Sequence, residues 1–325
     1  MKNTKELKFD YSIVIPAYNE EVNVVPLMER IVKTMAPLSR TYEIIIVDNG
    51  SYDSTPVVLN KLIKEHKELV VLTLTRNFGY DGAIVAGFEN ARGRRIVVMD
   101  GDQQDPPEIL PRFIAKSEEG FDVVYGIRSK RTESWLISKQ IKIFYKLLNR
   151  IVNFNLPEDA GNFGVMTREV VEIINHMPER NKFIRGLRAW TGYTSEGIVY
   201  QRDEREHGKS KFSYFSYFNH ALNGISSFSN LPLRLFTYLG IVGVVISFLA
   251  GLFILVTKVL EILGYKLLPY NIVSGFTTIS LLVLAAISFN ALGFGILGEY
   301  LGRIFEEVKK RPSYLIKGIS RGDDE

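Results

Sequence analysis

Residues 12–35 read SIVIPAYNEEVNVVPLMERIVKTM, and the change of rhythm inside this stretch decides the fold. Ser12, Ile13, Val14 and Ile15 form a β-branched run without polar alternation, which suits a strand covered on both faces. Pro16-Ala-Tyr-Asn-Glu20 interrupts the run, and from Val22 to Met35 apolar residues recur at helical spacing. The same unit returns downstream. Runs at 43–47, 70–74, 96–99 and 123–125 predict further strands with amphipathic segments between them, and Ser54 and Thr55 ahead of Pro56 mark one helix start. Strand and helix in alternation predict an α/β domain with a doubly wound, mainly parallel sheet.

Such sheets bind ligands beyond the carboxyl ends of their strands. The residues expected there are Pro16-Ala-Tyr-Asn-Glu20, Asp48-Asn-Gly-Ser51, Arg76-Asn-Phe-Gly79 and Asp100-Gly-Asp102, the last followed by Gln-Gln-Asp-Pro-Pro. Two carboxylates one residue apart at a sheet edge can share a hard divalent ion, Mg²⁺ or Mn²⁺, that also binds diphosphate oxygens. Its Lewis acidity would neutralise charge on a leaving nucleotide diphosphate. An isolated Asp-x-Asp is more often a solvated turn, but four polar strand ends on one edge reverse those odds.

Other chemistries are disfavoured. With 40 Lys and Arg against 36 Asp and Glu, the net charge of +4 comes from mixed signs rather than a basic stripe, so nucleic acid is not an expected partner. There is no cysteine, hence no disulfide framework and no thiolate nucleophile. His66, His176, His207 and His220 are scattered and predict no zinc cluster. The glycines lack the spacing of a Rossmann cofactor loop or a P-loop.

The second half of the chain is different. Roughly 23 uncharged residues separate Arg234 from Lys258 and roughly 32 separate Lys266 from Glu299, against about 20 for a membrane-spanning helix. Arg303, Lys309, Lys310, Arg311, Lys317 and Arg321 follow the second segment, whereas the connector carries Lys258 and Lys266, so both ends are expected on the cytoplasmic side. The charged opening MKNTKELKFD lacks the apolar core of a signal peptide and agrees with that placement. Before the first segment, a helix over 212–230 would gather Phe215, Phe218, Leu222 and Ile225 on one face and Ser216, Asn219, Asn223 and Asn230 on another, as an interfacial helix does. The expected organisation is a catalytic domain over 1–211, an interfacial region over 212–232, two transmembrane helices over 233–300 and a basic cytoplasmic tail over 301–325.

Together IPAYNE at 15–20, VDNGSYDST at 47–55, LTRNFG at 74–79 and MDGDQQDPPE at 99–108 resemble glycosyltransferase family 2 with the GT-A fold. More narrowly the chain is similar to the polyprenyl-phosphate glycosyltransferases, the group of dolichol-phosphate mannose synthase and the GtrB-like and ArnC-type enzymes. The resemblance spans about Ser12 to Arg311. It implies that Pro16, Tyr18, Glu20 and Asp48 line a nucleotide pocket, and that Asp100, Asp102 and Gln104 form the metal and diphosphate cluster. Arg128, Lys139, Arg205 and Lys211 would meet the acceptor phosphate, the last two within Arg205-Glu-His-Gly-Lys-Ser-Lys211, which is similar to the family's R-x-x-G-x-S-K segment. Asp159 matches an acidic position near the reacting centre, as a base or a positioning group. One departure is Asn49, where the family often has a second acid, which leaves base preference open.

The implied activity is inverting transfer of one sugar from a nucleotide donor to polyprenyl phosphate by a membrane-bound homo-oligomer, such as a tetramer. UDP-glucose is the expected donor; UDP-GlcNAc, a modified UDP-arabinose and GDP-mannose stay open. The rivals are a processive polysaccharide synthase and a non-enzymatic scaffold or transporter of lipid-linked sugars. The first lacks its Q-x-x-R-W signature here, since residues 185–190 read RGLRAW, and the second leaves the acidic strand ends unexplained.

Overall fold

The computed structural model describes residues 7–129, 160–180, 182–203, 231–264 and 275–322. The chain divides into two units, one made of 1–224 with 310–325 and the other of 225–309.

The first unit is built on eight strands: β1 (Phe9–Ala17), β2 (Tyr42–Asp48), β3 (Leu69–Leu74), β4 (Gly93–Val98), β5 (Val123–Arg128), β6 (Ala160–Thr167), β7 (Ser195–Tyr200) and β8 (Ile316–Arg321). They form one sheet in the order β7-β5-β6-β4-β1-β2-β3-β8. β4, β1, β2 and β3 run parallel, as the apolar runs predict, with Ile13 beside Ile44 and Val97. The sheet is mixed rather than mainly parallel beyond that block. β6 runs antiparallel to both β4 and β5, β7 pairs parallel with β5, and β8 runs antiparallel to β3.

The connecting helices are α1 (Val24–Met35), α2 (Thr55–Glu65), α3 (Tyr80–Asn90), α4 (Leu110–Glu118), α5 (Arg168–His176) and α6 (Ile184–Trp190). In α1 the residues Val24, Leu27, Met28, Ile31 and Met35 are buried, a stripe at three- and four-residue spacing that packs on Ile13, Ile15, Ile44 and Ile46. At the amino ends of the strands a buried carboxylate is fully used. Glu43 accepts from the Ser12 hydroxyl at 2.6 Å and from the Arg92 backbone N–H and Nε at 2.5 and 3.1 Å, so its charge is paired and does not carry the full desolvation cost.

The segment expected as a basic cytoplasmic tail contains a strand of this sheet. β8 joins β3, and its ends are fixed where the Thr75 N–H donates to Leu315 O at 3.0 Å and the Gly322 N–H to Leu69 O at 2.9 Å.

The second unit contains α7 (Leu231–Ile262) and α8 (Gly275–Val308), of 32 and 34 residues. The Phe236 and Phe289 rings stack at 4.8 Å between centroids, and Phe236 lies against Gly293, where a Cβ would collide with it. Among the described residues one segment, Leu282–Val308, is long and apolar enough to cross a membrane, while the described apolar run of α7 is the shorter Phe236–Leu249. Of the two expected spans, one is thus found among the described residues. Ile246, Phe248, Leu282, Phe294 and Leu301 are each more than 60% exposed, a continuous apolar surface that water alone does not favour.

Candidate active site

Because β4, β1, β2 and β3 are parallel, their carboxyl ends share one edge. β6 is antiparallel to β4, with Gly164 opposite Val98, so its first residues lie beyond the end of β4 at that same edge. β5 and β7 also finish there, with Arg128 opposite Tyr200. Polar groups from seven strands are thereby gathered.

On one side the ends of β1 and β2 are zipped together. Asn19, at φ 56°, donates its N–H to Ser51 Oγ at 3.0 Å and accepts from the Tyr52 N–H at 3.0 Å. Asp48 is buried and accepts from the Ser51 N–H at 2.9 Å. Pro16 is buried in β1, and the rings of Tyr18 and Tyr52 meet edge to face at 5.9 Å. The Glu20 N–H donates to Thr55 Oγ1 at 2.9 Å, and Asp53 Oδ1 accepts from the Thr55 N–H at 3.0 Å, so the cap expected of Ser54 and Thr55 falls instead to Asp53. Pro16, Tyr18, Glu20 and Asp48 are thus brought to one corner.

Asn49 has a local duty. Its Oδ1 accepts from the Phe78 N–H at 2.9 Å while its Nδ2 donates to Gly79 O at 2.9 Å, tying the ends of β2 and β3. A carboxylate has no donor for the second bond. Gly50 next to it has φ +71°, and a Cβ there would lie 2.5 Å from the Arg76 carbonyl carbon. Gly50→Ala is therefore expected to cost more than about 2 kcal/mol, from left-handed strain together with backbone collision. A thermal melt of the purified variant checks this; an unchanged midpoint contradicts it.

The acidic turn follows β4. A Cβ on Gly101 would come 2.9 Å from Pro16 O, so glycine lets the turn lie against the end of β1. Asp100 Oδ1 accepts from the Tyr80 hydroxyl at 2.5 Å, and Tyr80 is further bonded to Asn162 at the start of β6. Asp102 Oδ1 accepts from the Gln104 N–H at 3.2 Å. The two Oδ2 atoms converge on one cationic atom, Arg202 Nη2, at 3.6 and 4.0 Å. This position, flanked by two partly exposed carboxylates, fits a small hard cation. Among the described residues no group of three or more His, Cys, Asp or Glu could hold a metal ion.

Deeper in the turn, Asp105 is fully buried and accepts from the Tyr200 hydroxyl at 2.6 Å. Burial pushes its pKa up to about 6, aided by the Asp100 carboxylate and opposed by Arg128, Tyr200 and Arg202. Arg128, expected at the acceptor phosphate, belongs to this cluster. Burial works against its charge, but Asp105, Tyr200 and Asp100 together outweigh it, and its pKa is raised. Gln104 is half-buried and gives its carbonyl to the Asp203 N–H at 3.0 Å, whereas Gln103 turns inward at φ 60° and donates to Asn23 Oδ1 at 3.0 Å. Asn23 in turn donates to Glu20 Oε2 at 2.5 Å, linking the acidic turn to the corner formed by the ends of β1 and β2. Lys139, Asp159, Arg205 and Lys211 lie outside the described residues.

At one edge of a mixed α/β sheet the chain thus gathers a carboxylate pair and polar strand ends, and the comparisons give the class of protein. The family model for glycosyl transferase family 2 matches residues 12–174. A prophage bactoprenol glucosyl transferase homolog of Escherichia coli strain K12 is 38% identical, covering 95% of this chain and 99% of its own length. A prophage-derived bactoprenol glucosyl transferase of Shigella flexneri is 39% identical over 96% and 99% of the two chains, and an uncharacterized glycosyltransferase of Synechocystis is 37% identical over 96% of each. The chain belongs to glycosyl transferase family 2, and it is a glycosyltransferase of the kind represented by these relatives.

Proposed function

We propose that this enzyme moves one glucosyl unit from UDP-glucose to a polyprenyl phosphate, with inversion, at the cytoplasmic face of a membrane. The observation that carries the chemistry is the convergence of Asp100 and Asp102 on one cationic position at the sheet edge. The acceptor rests on the bactoprenol glucosyl transferases that match over nearly the whole chain. Asp100 and Asp102 would hold Mg²⁺ or Mn²⁺, which neutralises charge on the departing diphosphate. Pro16, Tyr18, Glu20 and Asp48 form the nucleotide corner. Asp159, just ahead of β6 in sequence, orients the acceptor, since a phosphate monoester with a second pKa near 6 is already largely ionised and needs positioning more than deprotonation. Lys139, Arg205 and Lys211 supply its countercharge.

The acceptor dictates the architecture. Each buried methylene is worth about 0.8 kcal/mol, so a polyprenyl tail stays in the bilayer and the site must come to it. At 1.5 Å per residue the 32 residues of α7 measure roughly 48 Å, against about 30 Å of hydrocarbon. Since β8 returns to the catalytic sheet after α8, the chain crosses an even number of times, and two spans with both ends cytoplasmic meet that requirement. The region 212–232, described only from Leu231 on, would lie in the interface, and the subunits assemble as a homo-oligomer.

Membranes containing the enzyme, incubated with labelled UDP-glucose, UDP-GlcNAc or GDP-mannose and extracted with organic solvent, test this reading. A single-sugar polyprenyl phosphate from UDP-glucose is expected. A polymer would favour the processive synthase, and the absence of any labelled lipid would refute the proposal.

A further inference from the structure

Arg202 sits where the acidic turn is aimed. Its Nη2 lies 3.6 Å from Asp100 Oδ2 and 4.0 Å from Asp102 Oδ2, and its Nε lies 3.7 Å from Asp105 Oδ1. These are ion-pair separations outside hydrogen-bond range, and the buried Nε has no hydrogen-bond partner. A guanidinium facing a carboxylate ordinarily closes to about 2.8 Å in a two-pronged pair. Arg202 is instead shared among three carboxylates and committed to none of them.

The backbone beside it is held from two directions. The Asp203 N–H donates to Gln104 O at 3.0 Å, and Asp203 Oδ2 accepts from Arg30 Nη2 at 2.9 Å. Arg30 also grips Glu108 through Nε at 3.0 Å and Nη2 at 2.7 Å. The exit of β7 is thus stapled to the turn from Gln104 to Glu108, which fixes the root of Arg202 while its head stays unengaged.

We propose that Arg202 is a positioning residue, a resident counter-cation that holds Asp100 and Asp102 convergent, and that makes a divalent ion bind in company with the donor's diphosphate rather than before it. An ion arriving alone finds the Asp100 and Asp102 carboxylates already facing a positive charge that it must displace. A diphosphate changes this condition. It supplies oxygen ligands for the ion and a bidentate anionic partner for the guanidinium, so the two cations cease to compete. Metal and nucleotide affinities are then coupled, each raising the other by the same factor. The proposal rests on the reading that Asp100 and Asp102 are the metal ligands.

Mn²⁺ binding to the purified full-length protein, followed by electron paramagnetic resonance with and without UDP, tests it. In the parent protein UDP should tighten Mn²⁺ binding by about tenfold or more. In Arg202→Gln, Mn²⁺ without UDP should bind about tenfold more tightly and the UDP effect should shrink, while Arg202→Lys keeps the parent's pattern. Unchanged Mn²⁺ affinity in a folded Arg202→Gln protein would overturn the proposal. So would Arg202→Lys behaving like the Gln variant, or a parent protein whose Mn²⁺ affinity ignores UDP, which needs no variant to fold. A different result, Asp102→Asn binding Mn²⁺ with UDP as tightly as the parent, would overturn the metal-ligand reading itself and the proposal with it.

Discussion

Asp102→Asn is expected to lower sugar transfer by on the order of 10²- to 10³-fold, the scale of losing one preorganised charge-stabilising group, while the melting midpoint stays within a few degrees of the parent's. The separation of activity from stability follows from the side chain's surroundings. Its Oδ1 accepts from the Gln104 N–H at 3.2 Å, a bond that an asparagine oxygen keeps. What disappears is the negative charge on Oδ2, the atom that converges with Asp100 Oδ2. Full transfer by the variant, or parent activity undiminished by excess EDTA, would remove Asp102 from the metal site.

The companion expectation runs the other way. Asp105→Ala should destabilise the catalytic unit by about 3–5 kcal/mol, because it strips a buried carboxylate from the cations it balances. Asp105 is fully buried, its Oδ1 takes the Tyr200 hydroxyl at 2.6 Å, and Arg128 and Arg202 both feel its charge. Truncation leaves a phenol and the guanidinium of Arg128 facing a void. Asp105→Asn, which keeps an acceptor for Tyr200, should lose less than the alanine variant. Thermal melts of the detergent-solubilised proteins order the three. An alanine variant as stable as the parent would mean that the buried cations find other partners and that the cluster is not the keystone of β4, β5 and β7.

The two aspartates stand three residues apart in a single motif, yet the sequence distinguishes them poorly. Asp100 and Asp102 were legible because an apolar strand ends on them. Asp105 carries the same letter, and its role depends on Tyr200, ninety-five positions away. Arg202 and Tyr80 escaped notice for the same reason, since each acts through a partner brought by the sheet. β1 to β4 announce themselves as β-branched runs. β6 does not: Ala160-Gly-Asn-Phe-Gly-Val-Met-Thr167 contains two glycines, and at Gly164 a Cβ would lie 2.3 Å from Val124 O, so the close approach that makes the strand erases its signature. β8 reads as tail because Ile316-Lys-Gly-Ile-Ser-Arg321 is an exposed, basic edge. Asn49 looked like a departure from a pattern, whereas its amide is the group that ties two loops.

The pairing of β8 with β3 also sets a timetable for biosynthesis. β3 is complete at Leu74, but the strand that covers its outer edge ends at Arg321, after both long helices. At about 5–20 residues per second a ribosome needs roughly 10–50 s to travel that distance. Throughout that interval β3 presents an open row of N–H and C=O groups, the kind of border at which nascent chains on neighbouring ribosomes pair with one another. On the proposed two-span topology, the helices are delivered to the membrane within the same window. Insertion therefore comes before closure of the sheet, and a nascent chain stalled in between is the species that a chaperone has to shield.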